Sequence, residues 1–93
     1  MIAVIARLPV KAGSEAEFES AALEMAEQVR ANETGNKLYT LCKDDDGYVM
    51  LELYEDEAAL EAHGKSEHFK AGGARLGPLL AGKPEISRLQ VVG

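Results

Sequence analysis

The sequence predicts an α+β fold: a ferredoxin-like βαββαβ protomer. Three observations carry this prediction. The 93-residue chain has room for only one hydrophobic core. Its apolar positions switch between the two-residue period of strands and the 3.6-residue period of helices. The segments follow one another as strand, helix, strand, strand, helix, strand, an order that builds a four-stranded sheet with two helices.

Each element has a local reason. Ile2 to Val10 is β-branched and aliphatic, and Pro9 and Gly13 close it. Ser14 and Glu17 have capping-box spacing. Phe18, Ala22, Met25, Ala26 and Val29 then recur at helical intervals, giving an amphipathic helix to about Ala31. Asn32 to Asn36 ("NETGN") is a stop signal with Gly35 as its break. Lys37 to Cys42 and Tyr48 to Glu55 form strands around the acidic hairpin turn Lys43 to Gly47. Asp56 caps a short helix through His63, which Gly64 ends. Ser66 caps another, with Phe69, Gly72, Gly73, Leu76 and Leu80 on one face and an irregular last turn at Pro78. The glycines of "GGARLG" (Gly72 to Gly77) are expected to let this helix approach the sheet closely. Glu85 to Val92 is the last strand.

Two helices cover only one face of such a sheet, so the other should be polar in a monomer. It is not. Ile2, Val4 and Leu8 alternate with Ala3 and Ile5, and Tyr48, Met50 and Tyr54 alternate with Val49, Leu51 and Leu53. Both faces are apolar, and an apolar face of that size calls for a partner. The expectation is a homodimer whose sheets face each other across a two-fold axis, enclosing a dry chamber beside the histidines.

Composition narrows the function. Ten basic against sixteen acidic residues give a net charge of -6. That argues against nucleic acid and anionic membrane surfaces, which need a concentrated basic face. No stretch reaches membrane-spanning length, and the N-terminal apolar run is too short for a signal peptide. Cys42 is alone, so no disulfide forms within the chain, and a reducing cytoplasm is the expected setting. "GGARLG" is neither a dinucleotide fingerprint nor a P-loop.

The chemistry-bearing residues cluster in one region. "LEAHGKSEHF" (Leu60 to Phe69) holds both histidines of the chain, His63 and His68, next to Phe69. Imidazole is the usual proton carrier near neutral pH. No metal is expected there: Glu61 and Glu67 lie nearby, but no HExxH pattern or Cys/His quartet supports them, and "DDDG" lacks the EF-hand glycine. Glu52 stands mid-strand between apolar neighbours on the face of Met50 and Tyr54. If buried, it needs a raised pKa or a partner, and Arg7 and Arg88 are candidates. Tyr39, Tyr48 and Tyr54 are core-forming residues that can also line a site.

These motifs, over essentially the whole length, resemble the antibiotic biosynthesis monooxygenase domain family. Its most specific part is "YVMLELYEDEAALEAHGKSEHFKA", Tyr48 to Ala71, with Glu52, Tyr54, Asp56, Ala59, Leu60, His63, His68 and Phe69 in the family's order. The Glu-x-Gly of Glu33 and Gly35 and the early "VKAG" also match. The chain lacks the Pro-Gly or Gly-Cys step common there, and it has no tryptophan. The resemblance implies one such domain over residues 1–93. It implies a dimeric α/β barrel of ferredoxin-like protomers, a ligand cavity between sheet and helices, and neither metal nor organic cofactor.

Characterised members resemble quinol or polyphenol monooxygenases; related groups degrade haem or isomerise a phosphorylated signalling sugar. The haem-degrading pattern of Asn, Trp and His is absent, since Ala6 or Arg7, His63 and Gly73 stand there. The implied activity is a cofactor-independent monooxygenase acting on a small aromatic substrate with dioxygen. In that reading His63 or His68 is the base, Glu52 orients or polarises, and Tyr54, Phe69, Tyr39 and Arg7 bind substrate. An isomerase would need Arg7, Arg75 and Arg88 for its phosphate. A non-catalytic small-ligand-binding protein is the third reading.

Overall fold

A computed structural model describes residues 1–93. Its elements are β1 (Ile2–Leu8), α1 (Glu15–Asn32), β2 (Asn36–Asp44), β3 (Gly47–Tyr54), α2 (Glu57–Lys65), α3 (Glu67–Leu76) and β4 (Glu85–Gln90), with a 3-10 turn at Gly77–Leu79. The sheet is antiparallel in the order β2-β3-β1-β4. This is the ferredoxin-like arrangement, with its second helix divided in two.

The register assigns every side chain to a face. Val4 lies opposite Glu52 and Arg88, and Glu52 lies opposite Tyr39. Ile2, Val4, Ala6, Tyr48, Met50, Glu52 and Tyr54 therefore face the helices, and all are buried. The main core sets Phe18, Ala22, Met25, Ala26 and Val29 of α1 against Ala6, Tyr39, Tyr48 and Met50. A smaller cluster packs Ile2, Val4 and Tyr54 under Ala59 and Leu60 of α2. On the opposite face Ile5, Leu38 and Leu89 are 38%, 43% and 46% exposed. Ala3, Leu51 and Leu53 are half-buried beside them.

Several local expectations change. The Ser14 hydroxyl makes no cap; Glu15 instead accepts the Gly13 N–H at 2.8 Å, so the capping box does not form. Gly64 does not end α2, which continues to Lys65. Ser66 ends it: its backbone is extended, and its hydroxyl donates to the His63 carbonyl at 2.7 Å. The same oxygen accepts the Phe69 N–H at 3.2 Å and so caps α3. One hydroxyl thus closes one helix and opens the next. Gly72 serves helix-to-helix rather than helix-to-sheet approach, since a Cβ there would lie 2.5 Å from Met25 Sδ on α1. The hairpin turn forms as expected, with Gly47 at φ +131°, a conformation that side chains resist.

Gly35 marks the tightest contact between α2 and the sheet end: a Cβ there would meet Ala59 Cβ at 2.5 Å. Gly35→Ala should destabilise the fold by about 1–3 kcal/mol through overpacking. Gly64→Ala, with nothing within 4 Å, should stabilise it by about 0.5 kcal/mol through helix propensity. Urea denaturation of the two variants checks the opposite signs.

Candidate functional site

A cavity of about 260 Å³ lies between the sheet, α1 and α3. Its wall is mainly apolar: Ala6, Leu8, Met25, Met50, Leu76 and Ile86 contribute, with Phe69 at one side. Gly73 also lines it, where any side chain would take up volume. Glu52 supplies the only ionisable carboxylate in the wall, and Tyr39 the only phenol. The cavity belongs to the helix-covered side of a single protomer. It is not the chamber between two facing sheets that the sequence suggested, because the residues that enclose it alternate toward the helices.

Alternation along β3 brings Glu52 and Tyr54 together. The Tyr54 hydroxyl donates to Glu52 Oε1 at 2.6 Å. Burial raises the Glu52 carboxyl above its ordinary value, and the Tyr54 bond and the nearby His63 ring offset this in part. Burial, with Glu52 beside it, also raises the Tyr54 and Tyr39 phenols. Both stay protonated at neutral pH.

His63, in the last turn of α2, is 4% exposed. Its ring packs against Phe69, Tyr39 and Tyr54 at centroid distances of 4.8, 5.3 and 5.4 Å. It therefore lies behind two walls of the cavity. His68, in the first turn of α3, lines grooves on the outer side of the helices. Both rings converge on one carboxylate. Glu33 Oε2 accepts from His63 Nδ1 at 2.8 Å and from His68 Nε2. Glu33 follows α1 as its C-cap residue, and its side chain is 9% exposed. Its other oxygen, Oε1, is the one fully enclosed side-chain polar atom without a partner.

Glu33 is the site residue that sequence reasoning did not assign. The only signal was its place in the Glu-x-Gly step after a helix, and it is one of sixteen acidic residues. Glu61 and Glu67, the carboxylates considered for the histidines, do not join them: Glu61 pairs with Lys65 at 2.6 Å, and Glu67 lines an outer groove. Glu33, His63 and His68 are also the set with the donors to hold a divalent ion, their ligand atoms lying within 4.8 Å of one another.

The arginines do not reach the cavity. Arg7 lies on the opposite face of the sheet and pairs with Asp44 at 3.0 Å, which separates it from Glu52 and from any ligand in the cavity. Arg88 shares the helix-side face but pairs with Glu57. Arg75 pairs with Glu24 at 2.7 Å. Glu52 is thus satisfied by a phenol rather than by a guanidinium.

Comparison with known proteins agrees with this architecture. The family model described as antibiotic biosynthesis monooxygenase matches residues 1–75. The Bacillus subtilis protein named "Putative monooxygenase YcnE" is 33% identical over 98% of both chains. A Caulobacter crescentus crystal structure described as a "putative antibiotic biosynthesis monooxygenase" is 43% identical, covers 99% of this chain and 90% of that one, and superposes with a TM-score of 0.95. Rv0793 from Mycobacterium tuberculosis is 28% identical over 99% of this chain and 95% of its own, with a TM-score of 0.90.

The raised Glu52 pKa makes stability depend on pH. Above the ordinary value of 4.5 and below the raised one, the native state binds more protons than the unfolded chain, so stability falls as pH rises through that window. Glu52→Gln removes this loss. Its melting temperature relative to the unaltered protein should climb with pH across the window and then level off. Thermal denaturation between about pH 4 and pH 8 checks this, and a difference independent of pH would contradict it.

Proposed function

The chain belongs to the antibiotic biosynthesis monooxygenase family, and on that premise we propose that it is a cofactor-independent monooxygenase acting on a small quinol or polyphenol with dioxygen. The family relationship supports a monooxygenase-like function in general. The observation that carries the finer reading is the small apolar cavity with Glu52 and Tyr39 as its polar groups and a buried imidazole directly behind its wall. A flat aromatic ring fits such walls, and its hydroxyls need one or two acceptors to orient them.

The chemistry asks little of a cofactor. A phenolate is electron-rich enough to pass an electron to dioxygen directly. Recombination forms a carbon–oxygen bond, and loss of water leaves a carbonyl on the ring. One oxygen atom stays in the quinone product and the other leaves as water; the substrate supplies all the electrons. The protein must take the phenolic proton, hold the ring and exclude bulk water from the intermediate. In this reading a histidine, His63 or His68, is the base. Glu52, held by Tyr54, orients a substrate hydroxyl, and Phe69 and Tyr39 contact the ring.

Nothing favours the phosphorylated-sugar isomerase. Its phosphate would need a cation in the cavity, whereas Arg7, Arg75 and Arg88 are each held by a carboxylate elsewhere. A non-catalytic binder of the same fold predicts retention of an aromatic ligand without oxygen uptake.

The same proposal includes a homodimer, formed by residues 1–93 acting as one domain in a reducing, cytoplasmic setting. Its support is the apolar outer face of the sheet around Ile5, Leu38, Leu51, Leu53 and Leu89. The helices leave that face uncovered, and an identical face across a two-fold axis would bury it.

Oxygen uptake with dihydroxynaphthalene-type substrates tests the activity. His63→Ala or His68→Ala should lower turnover by about 100-fold or more while the circular dichroism stays native; unchanged turnover in both variants would refute the site. Sedimentation at micromolar concentration should report a dimer, and Leu51→Glu should convert it to folded monomers.

A further inference from the structure

The histidine pair meets Glu33 asymmetrically, and the asymmetry distinguishes the two rings. An ionised carboxylate only accepts hydrogen bonds, so each ring presents an N–H to Glu33 Oε2. They do so through different nitrogens, Nδ1 on His63 and Nε2 on His68. A neutral imidazole carries one N–H. In the neutral form His63 would then be bare at Nε2 and His68 at Nδ1. These are opposite tautomers, fixed by one oxygen.

The bare edges face different surroundings. His63 is wedged among Phe69, Tyr39 and Tyr54, and the first two of these line the cavity. His63 is not itself part of the cavity wall; its ring stands behind Phe69 and Tyr39. His68 lines the outer grooves, among them the one with Glu24, Gln28 and Arg75. It does not line the cavity.

We propose that Glu33 is the positioning residue of this site: by gripping His63 at Nδ1 it leaves Nε2 as the proton-accepting nitrogen of the ring that backs Tyr39 and Phe69 of the cavity wall, while His68 anchors the carboxylate from the groove. The catalytic part of this proposal rests on the phenol-oxidising reading; the tautomer part does not. The bare Oε1 of Glu33 supports it. A clamp that served folding alone would place one ring on each carboxylate oxygen and leave no enclosed acceptor unsatisfied, which is the cheaper arrangement. Both rings share one oxygen instead, which sets the two imidazoles at a fixed angle to each other. The logic is that of a base oriented by a third group.

The chain has only two histidines, so long-range proton–nitrogen correlation spectra of the full protein resolve both rings. The expected result is His63 protonated at Nδ1 and His68 protonated at Nε2. In Glu33→Gln, whose amide nitrogen donates where the carboxylate accepted, at least one ring should exchange its tautomer. Two Nε2-protonated rings in the unaltered protein would overturn the proposal, as would a spectrum indifferent to Glu33→Gln. Should that variant fail to fold, the unaltered spectrum still decides the tautomers, and His68→Gln then tests the anchor through the His63 signals. In turnover, Glu33→Gln should lower kcat about 100-fold, the low end of what a positioned base contributes, with KM within about twofold. His63→Ala should cost more than His68→Ala. A kcat unchanged in Glu33→Gln would overturn the positioning role. Absence of oxygen uptake with every phenol would remove the monooxygenase reading and leave the tautomer assignment standing on the spectrum.

Discussion

The two-residue alternation of the central strands governs everything else in this molecule. β1 and β3 lie in the middle of the sheet, so a slip of one residue in either would exchange its faces entirely. In the observed register Glu52 is sealed beneath the helices with Tyr54, Met50 and Tyr48, and Arg7 is sent to the other side. The cavity owes its mainly apolar wall to that arrangement. So does the apolar outer face, because Val49, Leu51 and Leu53 must point wherever Glu52 does not. One constraint thus produces both the cavity within the protomer and the apolar outer face of its sheet.

The second determinant is the joint between α2 and α3. A single uninterrupted helix would keep His63 and His68 on different faces. The Ser66 hydroxyl breaks the helix and caps both of its halves, bonding the His63 carbonyl on one side and the Phe69 N–H on the other. The turn folds the two rings toward one point, with centroids 6.3 Å apart. Glu33 occupies that point because Gly35 lets Ala59 press onto the loop that carries it. Burying a carboxylate there is costly without compensation, and the two ring N–H groups supply it.

Charge is distributed in keeping with this division. The arginines once considered for a phosphate each end on an acidic residue at the surface. Inside, one carboxylate of raised pKa and two phenols share a low-dielectric space. Burial there penalises charge, and this raises all three groups.

How much of this was legible in advance follows from the range of the forces involved. The six-element order, the Asp56 and Ser66 caps, the hairpin at Gly47 and the faces of β1 and β3 are set by neighbours within a few residues, and the sequence displayed them. The apolar second face of the sheet was legible for the same reason, as was the isolation of Glu52 among apolar side chains. The shared face of Glu52 and Tyr54 followed from the strand period, but their hydrogen bond did not: the partners expected for Glu52 were Arg7 and Arg88, which pair elsewhere. What required the tertiary structure was every contact made across the chain: Glu33 meets the histidines from 30 and 35 residues away, Arg7 meets Asp44, and Gly72 meets Met25. No local pattern separates Glu33 from the other acidic residues. Its role arises only when the helix joint closes over the loop and removes water, because a carboxylate's partners are chosen by proximity in a folded, dry space and not by its position in the sequence.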